Sequence, residues 1–444
     1  MNRILNADKI SLANPVAVIE PGVTQGQLYD FLQSRCPDLT FNVTGSARNT
    51  SIIGNALDRG VGYFGPRKDD LFGLEVVCGS GQVLKTGFRR LGEDSPLAHS
   101  HPFGLGPMLD GIFFQGNFGI VTSACFRLMP RRPKELAVSL ALRDSASLGD
   151  FINELANLKR EGLMTSVNHI ANKARSHSSM MYGMTSYLET MCGFAPERAL
   201  RESGTALNLV APNEWTSLGA ITGNAGQVSA ALKEIKKRMK CLARVLVVTD
   251  RLLDIGFRVS NTLRFLPFAR ANAAAIAAIR PLHGLALGVP TDVAIDNLLW
   301  KYGRTDLPIA QLDESRCGLL FICPALPSDG HLVAKLLKEM NTVADREGHV
   351  LYITVNIETS TSLVAIINLL FDRGSHEETE RAHRCAKALL DHLHGQKLEI
   401  YRARADMMSD VVSRDPDYWE TVRSLKAVLD PDNIIAPGRY NLSV

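Results

Sequence analysis

The stretch Ile53-Gly54-Asn55-Ala56-Leu57-Asp58-Arg59-Gly60-Val61-Gly62-Tyr63 decides how this 444-residue chain is read. Glycines at 54, 60 and 62 allow backbone N–H groups to approach an anionic diphosphate with no side chain in the way. The spacing is neither a Walker loop nor the G-x-G-x-x-G fingerprint, so on its own it is also consistent with glycines that only make tight turns.

Working outward, Val16–Glu20 is a β-like run ended by Pro21-Gly22. Thr24 then starts a helix, with Gln27 as its capping-box partner and Leu28, Phe31 and Leu32 on one face. Downstream, Gly73–Cys78 and Gln82–Thr86 read as strands joined through Gly79-Ser80-Gly81. Next comes Gly106-Pro107, followed by Leu109-Asp110-Gly111-Ile112-Phe113-Phe114-Gln115-Gly116-Asn117-Phe118-Gly119-Ile120-Val121-Thr122. Gly119 precedes a strand, Ile120–Leu128, whose backbone could line a cofactor groove. Pro130 and Pro133 mark a boundary.

From Lys134 the texture changes to strands alternating with amphipathic helices. Strands are expected at Leu136–Leu142, Ser217–Thr222, Arg244–Val248, Leu319–Cys323, Val350–Val355 and Leu363–Phe371. Helices are expected after Ser147 (Ile152, Leu155, Leu158), around Val228, Leu232, Ile235 and Met239, and around Val333, Leu336, Leu337, Met340 and Val343 up to Gly348. Further helices are read at Glu377–His394 and Trp419–Leu429. This pattern predicts an α+β fold with an antiparallel sheet and helices on one face. The expected domains are 1–133, 134–395, and a C-terminal segment 396–444 that returns to the first.

Composition excludes several classes. Lys and Arg number 49 against 46 Asp and Glu, too balanced for the dense basic charge that nucleic acid demands. The lysines of 233–240 keep helical spacing with apolar residues and read as a solvated helix face. No apolar run approaches the roughly 20 residues that span a bilayer, and the first twenty residues lack a secretory signal. Eight scattered cysteines with no CxxC pair read as reduced thiols of a cytoplasmic protein, with no metal expected. His376, His383, His392 and His394 lie on or beside one charged helix and read as solvated, and His99 and His101 lack metal-ligand spacing.

Taken in order, these motifs resemble the vanillyl-alcohol oxidase and 4-cresol dehydrogenase family, which has a PCMH-type FAD-binding domain. The family pattern runs E-P-G-V-T, G-N-x-x-x-R-G-x-G-Y, G-x-E-V-V, G-x-x-D-G-x-F-x-Q-x-N-x-G-I-V-T, Y-R and D-P-x-x-I-x-x-P-G. This chain supplies each in turn, with Gly73-Leu74-Glu75-Val76-Val77 as the strand, Tyr401-Arg402 as the pair and Asp430-Pro431…Ala436-Pro437-Gly438 as the tail.

The resemblance implies a flavin-binding domain made from both chain ends and a ferredoxin-like α+β cap domain between them. It also implies bound FAD and a small aromatic substrate. Many family members take hydride from the benzylic carbon of para-substituted phenols held as phenolates. A phenolate in a dry site needs hydrogen-bond donors and positive charge, which Tyr401 and Arg402 would supply. Carried over residue by residue, the catalytic set is Tyr401, Arg402 and Asp69. The cofactor set is Pro21, Gly22, Thr50, Ser51, Gly54, Asn55, Gly60, Gly62, Gly119, Ile120, Val121, Gly438 and Arg439.

Three departures follow from the same comparison. Met1–Leu5 resembles an internal family segment, so the N-terminal phosphate-loop part and a further active-site tyrosine are expected to be missing. An internal start site, a separate chain supplying that part, or a degenerate relative would each account for it. The strand Cys317-Gly318-Leu319-Leu320-Phe321-Ile322-Cys323-Pro324 has no histidine where vanillyl-alcohol oxidase carries its flavin anchor. FAD is therefore expected to be non-covalent, with Tyr302 the other candidate anchor. The family's acidic residue near flavin N5 falls in Arg67-Lys68-Asp69-Asp70, where the spacing to Gly73 is shorter than in phenol oxidases. Expected partners are the substrate, with neither nucleic acid nor membrane, and either a second copy or a chain that completes the FAD subdomain. The alternatives to phenol oxidation are a non-catalytic relative or partner subunit, and an FAD-linked hydroxy-acid oxidoreductase. The electron acceptor, oxygen or a cytochrome, stays open.

Overall fold

The computed structural model describes residues 1–299, 301 and 314–440. In chain order the strands and α-helices begin with β1 Val16–Ile19, α1 Gln25–Arg35, β2 Leu39–Thr40, α2 Ile52–Leu57, β3 Val61–Gly62 and β4 Gly65–Pro66. They continue with β5 Leu71–Cys78, β6 Val83–Lys85, β7 Gly119–Arg127, β8 Met129–Pro130, β9 Lys134–Leu142, α3 Leu148–Arg160 and β10 Asn168–Asn172. Then follow α4 Lys173–Cys192, α5 Pro196–Val210, β11 Trp215–Gly223, α6 Ala225–Arg238, β12 Ala243–Val248, α7 Asp250–Thr262, α8 Pro267–Ala286 and α9 Val293–Leu299. The last are β13 Cys317–Ile322, β14 Ala325–Pro327, α10 Gly330–Arg346, β15 Tyr352–Ile357, β16 Ser362–Asp372, α11 His376–Gly395, α12 Met408–Val412 and α13 Pro416–Leu429.

The chain divides into two compact units. One comprises Met1–Thr44, Arg48–Arg131 and Arg402–Val444; the other comprises Gly45–Ala47 and Arg132–Tyr401.

The first unit is built on an antiparallel sheet of order β1-β7-β5-β6. Its apolar side chains Val16, Val18, Phe72 and Cys125 form one buried cluster. Strand β5 begins at Leu71, two residues before the expected start, and its register against β7 shifts between Phe72 and Glu75. Gly73 lies in that irregularity at φ +56, a conformation a side chain would strain. Thr24 caps α1 as its position predicts, accepting from Gln27 N at 3.1 Å. The Gln27 amide does not return to the cap; it donates to Asn2 O at 2.9 Å.

The second unit is an antiparallel sheet of order β12-β9-β11-β10-β15-β16-β13, with β14 added on β16. Val138, Leu140, Ile170, Ile353, Val355 and Ile367 alternate along these strands and are fully buried. Gly348 at φ +70 follows the end of α10 as expected, whereas Ser147, read as the cap of α3, makes no side-chain capping bond. Asn224 and Gln227 make a complete capping box on α6 that the sequence reading did not single out. The lysines at 233, 236, 237 and 240 are exposed, as the helical spacing requires.

The unit also holds β10 and five helices, α4, α5, α7, α8 and α9, that the periodicity did not reveal. Their contacts use small and flexible side chains: Met180, Met184 and Leu188 of α4 pack with Ala271, Ala274, Ala275 and Ala278 of α8. A Cβ on Gly183 would meet Ala278 at 2.9 Å, so that helix pair depends on close backbone approach. One histidine also differs from its reading: the His394 side chain is only 5% exposed, with Nε2 3.1 Å from Glu399. Among the described residues, no helix is long and apolar enough to cross a membrane.

Candidate functional site

All of the expected cofactor residues lie in the first unit, and the structure sorts most of them into three groups. The first is the turn after β1. Glu20 is nearly covered, and both carboxylate oxygens engage Arg3: Oε2 accepts from the Arg3 backbone at 2.8 Å and Oε1 from Nη2 at 2.7 Å. These bonds hold its carboxyl down at about 2. The Gly22 amide donates to Met1 O at 2.7 Å, and a Cβ on Gly22 would strike that oxygen. Pro21 O accepts from Ser51 Oγ at 2.6 Å, while the same Oγ caps α2 by accepting from Gly54 N at 2.9 Å. Thr50 O accepts from Gln25 N at 3.0 Å. Pro21, Gly22, Thr50, Ser51 and Gly54 are thus one hydrogen-bonded turn pair.

The second group is the glycine-rich hairpin. A Cβ on Gly60 would lie 2.0 Å from Asn55 Oδ1, and one on Gly62 would lie 2.1 Å from Asn42 Oδ1. Close packing of amide side chains therefore accounts for both glycines. Asn55 Oδ1 accepts from Arg67 Nη1 at 3.0 Å, and Asn42 Nδ2 donates to Asp70 at 2.8 Å.

Arg67 is fully buried, its guanidinium 5.4 Å above the Phe126 ring, and neither Nε nor Nη2 has a hydrogen-bond partner among the described residues. Burial lowers its pKa to about 10. Asp70 is also buried, and loss of solvent pushes its carboxyl up to about 6 despite the Asn42 bond. Asp69, the expected acid, lies instead at the surface, paired with Lys68 at 2.6 Å and more than half exposed. The reason is local: in the single turn Arg67–Asp70, adjacent residues point in different directions, and Asp70 takes the inward place.

The third group gathers the C-terminal segment onto Asp58. Arg402 Nε donates to Asp58 O at 2.8 Å and lies 3.1 Å from its carboxylate. Arg439 Nη2 is 3.3 Å from the other carboxylate oxygen. Two guanidiniums thus share one half-exposed carboxylate. Gly438, at φ +83, sets the turn that presents Arg439. Asp58 was quoted in the motif but given no role; its place at the end of α2, before left-handed Arg59 (φ +55), was the available signal.

The tail is tied down by a second ion pair that the sequence reading missed. Asp430 accepts from Ile434 N at 3.1 Å and Ile435 N at 2.8 Å. Lys426 Nζ bonds Asp430 Oδ2 at 2.5 Å, Ile435 O at 2.7 Å and Asn117 O. Lys426 and Asp430 stand at i,i+4, a spacing that marks a helical pair. A Cβ on Gly79 would meet the Asp430 carboxylate at 2.0 Å, which explains the glycine in the β5–β6 turn.

Gly119, Ile120 and Val121 open β7. β1 pairs only with Ala124–Arg127, so among the described residues no strand covers that edge of Gly119–Ser123. Ile120 is 55% exposed there. Gly119 itself is required by β5, since a Cβ would lie 2.7 Å from Val76. Tyr401 belongs to the second unit, where its N–H donates to Cys323 O at 2.9 Å. Strand β13 has no histidine, and Tyr302 lies outside the described residues. Two surface cavities, of about 510 and 480 Å³, lie in the second unit and include none of the expected site residues. No cluster of three or more metal-ligating side chains occurs among the described residues.

The open edge of β7 with its exposed Ile120 fits the flat ring system of a bound cofactor, and the arginines on Asp58 present cationic groups to an anionic ligand. The class defined is an FAD-binding α+β protein, and residues 1–87 match the FAD binding domain family. A 1'-carboxy-chondrochloren decarboxylase from Chondromyces crocatus is 30% identical over 99% of this chain and 80% of that protein. The 4-cresol dehydrogenase [hydroxylating] flavoprotein subunit of Pseudomonas putida is 26% identical over 100% of this chain and 78% of its own length. The solved structure of p-cresol methylhydroxylase with substrate bound, 24% identical, matches with a TM-score of 0.78 over 100% of this chain and 78% of that one. 4-Ethylphenol oxidase from Gulosibacter chungangensis, 22% identical, matches with a TM-score of 0.79 over 99% of this chain and 78% of its own. The chain belongs to the PCMH-type FAD-linked oxidoreductases, the family of 4-cresol dehydrogenase.

Proposed function

We propose that the chain oxidises a small para-substituted phenol or aromatic alcohol, with non-covalent FAD as hydride acceptor. The observation that carries this reading is Arg402, which follows Tyr401 directly and is oriented by Asp58 through two contacts. A guanidinium stays charged throughout the working pH range, so Arg402 offers permanent positive charge to a phenolate. The Tyr401 hydroxyl adds a hydrogen-bond donor, and its backbone is fixed on Cys323. FAD, when bound, supplies the two-electron chemistry; the protein binds, orients and polarises. Pro21, Gly22, Thr50, Ser51, Gly54, Asn55, Gly60, Gly62, Gly119, Ile120, Val121, Gly438 and Arg439 are proposed to frame the cofactor. Gly22, Gly60 and Gly62 would do so through the turns they permit.

A second reading has a substrate carboxylate that leaves as carbon dioxide during oxidation. The name of the Chondromyces relative favours it, and Arg439 beside Arg402 provides a second cation.

The test is anaerobic titration of the flavin-loaded protein with 4-alkylphenols and 4-hydroxyphenyl carboxylic acids, read by flavin bleaching and carbon dioxide release. Arg402→Lys is expected to lower turnover about 100-fold, the scale of losing one oriented group at a developing charge, with flavin content unchanged. Unchanged turnover in both Arg402→Lys and Tyr401→Phe would refute the assignment. A protein that takes up no flavin would favour a non-catalytic subunit, and bleaching only by aliphatic hydroxy acids would point to that substrate class.

A further inference from the structure

The cavity of about 510 Å³ in the second unit takes its walls from α4, α5, β11 and α10. α4 contributes Lys173, Ala174 and His177, α5 contributes Asn208, β11 begins with Trp215, and α10 contributes Asn341. Asn172 and Glu214 complete the lining. The volume falls within the roughly 300–1,000 Å³ of small-molecule sites. None of the residues proposed for FAD or the phenol lines it.

The hydrogen bonds already made define what is left for a ligand. Asn172 serves the fold: Oδ1 accepts from Arg175 N at 2.9 Å and Ile353 N at 3.1 Å, and Nδ2 donates to Leu351 O at 2.8 Å. Asn208 and Asn341 differ. Each donates one N–H to the carbonyl a helical turn back, Gly204 O at 3.2 Å and Leu337 O at 2.8 Å. Each keeps a carbonyl oxygen and a second N–H. His177 Nε2 lies 2.9 Å from Ala211 O. A carbonyl only accepts, so Nε2 carries the proton and Nδ1 of the uncharged ring is an acceptor. Trp215, half-buried, adds an indole N–H and the largest apolar side chain of the lining. Lys173 and Glu214 stand 3.4 Å apart, so the two charges oppose each other and favour neither an anion nor a cation.

An uncharged ligand with several hydroxyls matches this set. A hydroxyl both donates and accepts, so it pairs equally with an amide oxygen, an amide N–H or an imidazole nitrogen. A pyranose ring adds an apolar face of C–H groups, the counterpart of an indole surface. We propose that this cavity binds a pyranose sugar, with Trp215 against its C–H face and Asn208, Asn341 and His177 bonded to its hydroxyls.

Isothermal titration calorimetry of the full chain tests this, with glucose, galactose, mannose and N-acetylglucosamine, each free and as its methyl glycoside. At least one is expected to bind with a Kd of about 1 mM. Trp215→Ala should raise that Kd at least ~10-fold, through loss of the apolar wall. Asn208→Ala with Asn341→Ala should raise it about tenfold, through loss of neutral hydrogen bonds. Both amides lie on helices and alanine suits a helix, so far-UV circular dichroism should be unchanged. That variant decides the matter if Trp215→Ala fails to fold. Affinity kept by the methyl glycoside assigns the glycosyl group of a larger molecule, and affinity lost on methylation assigns a free sugar. No binding of any of these sugars at about 50 mM would overturn the proposal. So would a Kd that the paired amide variant does not move, or binding of phosphate or acetate where the sugars do not bind.

Discussion

Asp70→Asn should stabilise the first unit at high pH and do nothing at low pH. A free aspartate titrates near 3.8, whereas Asp70 is raised to about 6 by burial. Below pH 3.8 folded and unfolded chains both hold the proton, and burial of the neutral acid carries no ionisation cost. Between the two values the unfolded chain releases a proton that the folded chain keeps, so stability falls as pH rises. Above pH 6 the folded chain carries a buried carboxylate, and a shift of about two units corresponds to roughly 3 kcal/mol. Asparagine keeps the oxygen that accepts from Asn42 but adds an amide with no assured acceptor, offsetting part of the gain. The expected difference from wild type is therefore about 1–3 kcal/mol at pH 8 and near zero at pH 4. Urea unfolding followed by Trp419 fluorescence, with Trp215 and Trp300 replaced by Phe, reports the unit that contains Asp70. A difference independent of pH, or a variant less stable than wild type at pH 8, would refute the reasoning.

Two other changes probe the first unit. Lys426→Met strips the ammonium from Asp430, Ile435 O and Asn117 O, leaving a buried carboxylate. The expected loss is about 3–5 kcal/mol, measured as a fall in thermal midpoint. Asp58→Asn removes the charge that holds Arg402 and Arg439. Because these side chains are about one-third exposed, stability should change by less than ~1 kcal/mol. KM for a phenolic substrate should rise about tenfold in steady-state assays while flavin content holds, since a looser Arg402 weakens binding by about 1.4 kcal/mol.

Where one residue carried its own signal, the sequence was readable. Thr24 at the start of α1 and Gly348 after α10 each act within a few residues, and their geometry matches the expectation. Ordered motifs likewise identified the family, because each is a short string. The helices α4 and α8 were not legible because alanine, methionine and glycine give little hydrophobic contrast, and their packing partner lies far along the chain. At the site the motif glycines were recognised, but their reason was not. Gly60 and Gly62 answer to the side chains of Asn55 and Asn42, and Gly79 to Asp430, which are long-range facts. The exposure of Asp69 and burial of Asp70 were illegible for a similar reason, since one short turn decides which carboxyl faces inward.

The first unit is assembled from stretches separated by the whole of Arg132–Tyr401. Its last ties, Arg402 and Arg439 on Asp58 and Asp430 under Gly79, come from residues made after the whole of the second unit. The second unit is almost continuous in sequence, so it can fold while the tail is still being made. If it does, it shortens the tether between the pieces of the first, and closing that loop costs far less than for an unstructured chain of the same length. During synthesis Asp58 and the β5–β6 turn then wait for their C-terminal partners. That interval is when this chain is most exposed to mispairing and has most need of a chaperone.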